Sequence, residues 1–100
     1  MDDFDRTLQK RLETDPEFRR IWNEEEVCRQ TGLAIIKARC DAGLSQRELS
    51  KATGIAQGDI SKLETGNTNP SLKTLSRVAE GLGLGIKVVF EPTTKANAQI

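Results

Sequence analysis

The stretch from Gln46 to Gly66, QRELSKATGIAQGDISKLETG, constrains this chain more than any other. Ser45-Gln46-Arg47-Glu48 fits a capping box: the serine hydroxyl takes the backbone N–H of Glu48, whose carboxylate reaches back to that of Ser45. A helix starts there, runs to Thr53 and stops at Gly54, because glycine alone takes positive φ at little cost. A second helix spans Gln57 to Thr65 and stops at Gly66. Leu49, Ile55, Ile60 and Leu63 then point inward and lock the two helices at a steep angle across a turn of about three residues. Ser50 is small, as the closest approach requires. Gln57, Gly58, Ser61 and Lys62 are left facing outward on the second helix.

The flanking residues are patterned for more helix. Phe4, Leu8 and Leu12 recur every fourth residue, which predicts an amphipathic helix over 3–13. Asp15-Pro16-Glu17 reads as a second start, with Asp15 capping and Pro16 in the first helical position. That helix presents Phe18, Ile21 and Trp22. Glu24-Glu25-Glu26 has no apolar member, so the helix either continues there as a solvated segment or breaks. Leu33, Ile36 and Cys40 form a new apolar stripe, with Ile35 and Ala38 near its edge, and Gly43 ends it. Asn67-Thr68-Asn69-Pro70 is loop chemistry. Ser71 can cap a further helix bearing Leu72, Leu75, Val78, Ala79 and Leu82. From Leu84 the period changes to two: Leu84, Ile86, Val88 and Phe90 alternate with Gly85, Lys87, Val89 and Glu91, and Pro92 closes the run. This predicts one strand. A lone strand cannot satisfy its own backbone, so it must pair with a twin or with another protein. Residues 93–100 read as a polar, frayed tail.

Composition decides between function classes. With 36% hydrophobic and 30% charged residues, the chain reads as globular, and its length suits one domain with a modest core. No apolar run approaches the roughly 18 residues that span a bilayer. The N-terminus is acidic where a secretory signal would begin basic, so the expectation is a cytoplasmic protein. There is no histidine, which removes the commonest general base and the commonest metal ligand together. The serines have no base to activate them, and there is no glycine-rich phosphate loop. No enzyme, metal or cofactor is expected. On one helix, Cys28 and Cys40 would lie roughly 18 Å apart, beyond the reach of a disulfide. The zero net charge hides a division: residues 1–26 carry nine acids and five bases, residues 27–100 six acids and ten bases. A basic body with an acidic arm suggests two different partners, though a solvated helix face would also carry such charges.

The segment from Leu44 resembles the lambda-repressor-like helix-turn-helix family, of the XRE or Cro/C1 type. The residues that carry the likeness are Leu44-Ser45-Gln46, Glu48-Leu49, Gly54-Ile55, Ile60-Ser61-Lys62-Leu63-Glu64, Gly66 and Asn69-Pro70-Ser71-Leu72 with Leu75. It covers roughly Leu33 to Leu84. The resemblance implies an all-α bundle of four to five helices acting as a dimer on operator DNA, with the second helix of the pair in the major groove. Carried over residue by residue, it implies that Gln57, Gly58, Ser61 and Lys62 face bases and phosphates. It also implies that Gln46 reaches a phosphate and buttresses Gln57. Glutamine chemistry agrees, since its carboxamide pairs bidentately with adenine. Asn67, Asn69 and Lys73 would contact the backbone, which positions without specifying. Glu64 is read as a structural ion-pair partner or a cap for backbone groups rather than a DNA contact. Ala56 leaves the second helix without the serine or aspartate cap of many relatives, and Asp59 places an acid near phosphates unless it caps the helix N-terminus instead. Both predict modest affinity per monomer and dependence on dimerisation.

The layout divides the chain into an N-terminal acidic helical arm (1–26), a DNA-binding domain (27–83), a C-terminal strand (84–92) and a tail (93–100). This whole layout is similar to that of HigA-type antitoxins, in which a D-P-E-F-type start, here Asp15-Pro16-Glu17-Phe18, precedes the same helix pair. That resemblance implies a small basic RelE/HigB-like toxin as partner. Phe4, Leu8, Phe18 and Trp22 would be its anchors, or Phe18 and Trp22 would pack on the chain's own core. Leu84, Ile86, Val88 and Phe90 would form the dimerisation strand, or add to a toxin sheet edge. A stand-alone XRE-family repressor is the alternative. An interaction adaptor that has lost DNA binding also fits Asp59, the uncapped helix and the zero net charge.

Overall fold

The computed structural model describes residues 3–92 as five helices and no strand: α1 (Asp3–Thr14), α2 (Pro16–Asp41), α3 (Gln46–Thr53), α4 (Gln57–Thr65) and α5 (Leu72–Gly81). Residues 26–87 form one compact unit. The described residues before and after them belong to a second. The tail expected over 93–100 lies outside the described residues.

Local chemistry sets the helix ends. The Asp15 carboxylate takes the N–H of Phe18 at 3.1 Å, and Pro16 opens α2, as expected. Glu24-Glu25-Glu26 does not break this helix. Arg20 pairs with Glu24 at 3.2 Å, Arg29 pairs with Glu26, and Gln30 donates to Glu26, so one-turn spacings carry the solvated segment. The capping box at Ser45 forms in full, with Ser45 Oγ accepting from Glu48 N at 3.0 Å and Ser45 N donating to Glu48 at 2.8 Å. Those bonds, backbone first, hold the Glu48 carboxyl below its usual pKa. Helix α3 ends at Gly54 with φ +77°, where a side chain would be strained. The Ser50 hydroxyl donates across the turn to the carbonyl of Ile55 at 2.5 Å, so this small residue ties the turn as well as fitting it. Ser71 Oγ caps α5 by accepting from Thr74 N at 3.1 Å.

The core of the larger unit joins Ile35 of α2, Leu49 of α3, Ile60 and Leu63 of α4 and Val78 of α5, with Ile55, Leu75 and Leu82 packed against it. Leu49 and Ile60 are fully buried. Helix α3 packs against both α4 and α5.

Two expectations are corrected. The stripe of α2 is rotated: Leu33 is 61% exposed and Cys40 is exposed, while Ile35 is buried and Ile36 half-buried. The cause is Gly32. A Cβ built there would stand 2.7 Å from the carbonyl oxygens of both Leu63 and Glu64. The backbones of α2 and α4 therefore meet on the face of Gly32, Ile35 and Arg39, a face that hydrophobicity alone does not mark. The strand expected over Leu84 to Phe90 is also absent. Leu84 N instead donates to Ala79 O at 2.8 Å and closes the turn that ends α5. Among the described residues there is no second strand to complete a ladder with the segment after it. Leu84, Ile86, Val88, Val89 and Phe90 are all exposed, so no alternation of burial survives.

Candidate nucleic-acid interface

Helix α4 carries Gln57, Gly58, Ser61 and Lys62 at spacings of three and four residues, which set them on one face. Gln57, Gly58 and Lys62 are exposed and Ser61 is half-buried. The opposite face, Ile60, Leu63 and Glu64, is buried. The core therefore anchors one side of this helix and leaves the other free.

The residue preceding α4 is Ala56, which supplies no side-chain cap. The first backbone N–H groups of a helix have no acceptor within it. The amides of Gln57 and Gly58 thus sit uncapped beside the exposed side chains, where a helix terminus favours an anion. Asp59 stands in that first turn, exposed. In the loop and the start of α5, Asn67, Asn69 and Lys73 are exposed. Arg77, also exposed, donates to the Thr53 carbonyl at 3.2 Å and so closes the end of α3. Arg77 and Lys62 flank a cleft of about 390 Å³ that Gly54, Ala56, Asp59 and Thr74 help to line.

Gln46 opens α3 and is half-buried. Its Nε2 donates to Glu64 Oε1 at 2.9 Å. Among the described residues no hydrogen bond joins it to the expected partner, Gln57. Glu64 reaches only 8% exposure and is held on both oxygens: Arg39 Nε donates to Oε2 at 2.6 Å and Arg39 Nη2 to Oε1 at 3.1 Å. Burial alone would raise the carboxyl's pKa. The bonds from Arg39 and Gln46, with the guanidinium charge, outweigh it and hold the group below its ordinary value. Glu64 is thus the ion-pair partner that the sequence predicts, but Arg39 was not singled out there. Its signal was position: it follows Ile35 by four residues, on the buried face of α2.

In the other unit, Asp15, Phe18 and Trp22 organise the start of α2. Phe18 and Trp22 are half-buried and stack with ring centroids 6.1 Å apart, and the Arg11 guanidinium lies 4.2 Å above the Phe18 ring. Arg19 Nη1 donates to the Leu12 carbonyl at 3.0 Å. The two aromatics therefore spend part of their surface on one another, and Phe18 spends more on Arg11 of α1. Phe4 is 70% exposed and Leu8 half-buried. Cys28 and Cys40 both lie on α2 and are free thiols. Among the described residues no three histidine, cysteine or acidic side chains are grouped to hold a metal, and no helix is long and apolar enough to cross a membrane.

Residues 35–89 match the helix-turn-helix family. A protein of Haemophilus influenzae described as an uncharacterized HTH-type transcriptional regulator is 36% identical over 75 residues, covering 69% of this chain and 76% of that protein. Antitoxin HigA1 of Mycobacterium tuberculosis is 31% identical over 93 residues, covering 93% of this chain but 62% of the antitoxin. The ImmF control region 10 kDa protein of Bacillus phage phi105 is 36% identical over 61 residues, 61% of this chain. With the glycine turn, the buried face of α4 and its exposed counterpart all in place, the chain belongs to the helix-turn-helix family of DNA-binding transcription regulators, of the XRE type, and is not an enzyme.

Proposed function

We propose that this protein is the antitoxin of a type II toxin–antitoxin pair, which neutralises a RelE/HigB-like toxin and represses its own operon by binding operator DNA in the cytoplasm. The observation that carries this reading is the extent of the HigA1 likeness. It runs over 93 residues, while the helix-turn-helix match begins only at residue 35. The acidic arm is therefore part of what the two proteins share, and a DNA-binding module alone has no use for it.

In this reading the exposed face of α4 enters the major groove. Gln57 reads a base, Gly58 permits close backbone approach, and Ser61 and Lys62 complete the contact. Gln46, Asn67, Asn69 and Lys73 hold the phosphates on either side. Phe4, Leu8, Phe18 and Trp22 dock the toxin, whose basic surface suits the acidic arm. The exposed apolar run of Leu84, Ile86, Val88 and Phe90 is covered in this reading by a second copy of the chain. The HTH-type regulator relatives favour a second reading, a stand-alone repressor without a toxin.

Native purification of the protein from its own cells, followed by intact mass analysis, separates the two. The antitoxin reading predicts a small basic protein in near-stoichiometric amount. Recovery of the chain alone, still binding specific DNA, supports the stand-alone repressor.

A further inference from the structure

We propose that the buried Arg39–Glu64 pair is a positioning device for DNA binding, which fixes the Gln46 carboxamide so that its nitrogen is presented as a donor to a backbone phosphate. The inference rests on the reading in which Gln46 faces DNA. It adds two residues that would touch no DNA themselves.

A glutamine side chain is ambiguous in the direction of its hydrogen bonds. A carboxamide has a donor end and an acceptor end of nearly the same shape, and a half-turn exchanges them. A phosphate oxygen can only accept, so one orientation binds it and the other repels it. Glu64 removes the ambiguity. Its carboxylate is a pure acceptor when ionised, and its Oε1 lies 2.9 Å from Gln46 Nε2. The amide oxygen in that place would set two acceptors against each other. With one N–H directed to Glu64, the second N–H of the same nitrogen remains for a phosphate.

Arg39 makes this arrangement possible in three ways. It binds both oxygens of Glu64, at 2.6 and 3.1 Å, and so fixes the plane of the carboxylate. It cancels the negative charge, which unpaired would oppose a phosphate nearby. Its Nη1 also donates to the Leu44 carbonyl at 3.0 Å, which anchors the backbone two residues before Gln46. One guanidinium thereby ties α2 to the loop that leads into α3 and to the acid of α4 that orients the side chain. The pair is well shielded, with side chains 16% and 5% exposed. It therefore acts on the interface from behind it.

The test must separate positioning from simple stability. The double variant R39M/E64L leaves net charge unchanged and substitutes apolar groups of similar size, an exchange that buried ion pairs often tolerate. Wild type, Q46A, R39M/E64L and the triple variant are compared for binding to a duplex selected by the wild type, with active protein counted by stoichiometric titration. Q46A is expected to weaken binding roughly three- to tenfold, the worth of one hydrogen bond. R39M/E64L should weaken it by a similar factor while remaining folded, and adding Q46A to it should cost nothing further. Wild-type affinity in R39M/E64L beside a weakened Q46A overturns the inference alone, as does a triple variant in which the two losses multiply. A wild type that selects no duplex, or a Q46A that binds normally, overturns the DNA reading of Gln46 and the inference with it. If the double variant does not fold, E64Q keeps the shape but loses the charge that selects the amide nitrogen. It should bind DNA more weakly although an acid has been removed, and unchanged or tighter binding overturns the inference.

Discussion

Glu64 separates what a residue type tells from what a partner tells. From the sequence, an acid beside the recognition face reads as an ion-pair partner, and it is one. Nothing in the linear order names Arg39, twenty-five residues earlier, as the other half. Truncating one side of such a buried pair leaves a charge without compensation, so Arg39→Ala should destabilise the protein by about 3–5 kcal/mol in denaturant unfolding. A loss below about 1 kcal/mol would mean the pair is solvated in practice. The pair also sets a pH dependence. The folded Glu64 carboxyl titrates below its ordinary value of 4.5, so its stabilising contribution is fully present above that pH and is lost as pH falls through the lower folded value. Acid unfolding should therefore weaken the wild type relative to R39M/E64L below about pH 4.5, and parallel acid profiles for the two would refute that assignment. Gln46 is assigned to the interface by analogy alone, whereas its observed link to Glu64 depends on two helices meeting and could not be read from spacing.

Helix ends were the most legible elements. Ser45, Gly54, Gly66 and Ser71 mark boundaries that the structure keeps, because caps and turns are local chemistry. The buried face of α2 is not legible from large apolar side chains, because the contact is made through a glycine. Gly32→Ala tests this directly. Alanine favours a helix over glycine by about 1 kcal/mol, so an unconstrained position would be stabilised. At Gly32 the new methyl meets two backbone carbonyls at 2.7 Å, which cannot yield as a side-chain tip can. The substitution should destabilise by about 1–3 kcal/mol, and a rise in thermal midpoint would show that α2 and α4 do not approach as described. The failure of the strand has a related cause. Alternation in Leu84 to Phe90 marks what a segment can pair with, but pairing needs a second strand. Val88→Asp should therefore weaken self-association if this run joins two copies, and sedimentation showing an unchanged dimer would remove it from that role.

Over the whole molecule, the division of charge carries the largest functional consequence. A net charge of zero conceals an acidic arm and a basic remainder, which in the proposed function meet a toxin and DNA respectively. If the arm docks a toxin, deleting residues 1–26 should abolish toxin capture and spare sequence-selective DNA binding, because the core that anchors α4 begins at Ile35. Loss of cooperative unfolding on deletion would assign the arm to the structure instead. Fold class and the helix pair were readable from one stretch of sequence, since capping, glycine turns and apolar spacing agree there. The partner-facing surfaces were readable only as candidates, because exposure has no sequence signature of its own.

The most direct test of the account is selection of bound sites from a pool of random duplexes, run in parallel with the wild type and Gln57→Ala. The wild type should enrich a motif, and the variant should lose preference at one position, most simply an adenine, while the rest of the motif persists. A wild type that enriches nothing, or a variant that selects the same motif at every position, would contradict the assignment of the exposed face of α4 to the major groove.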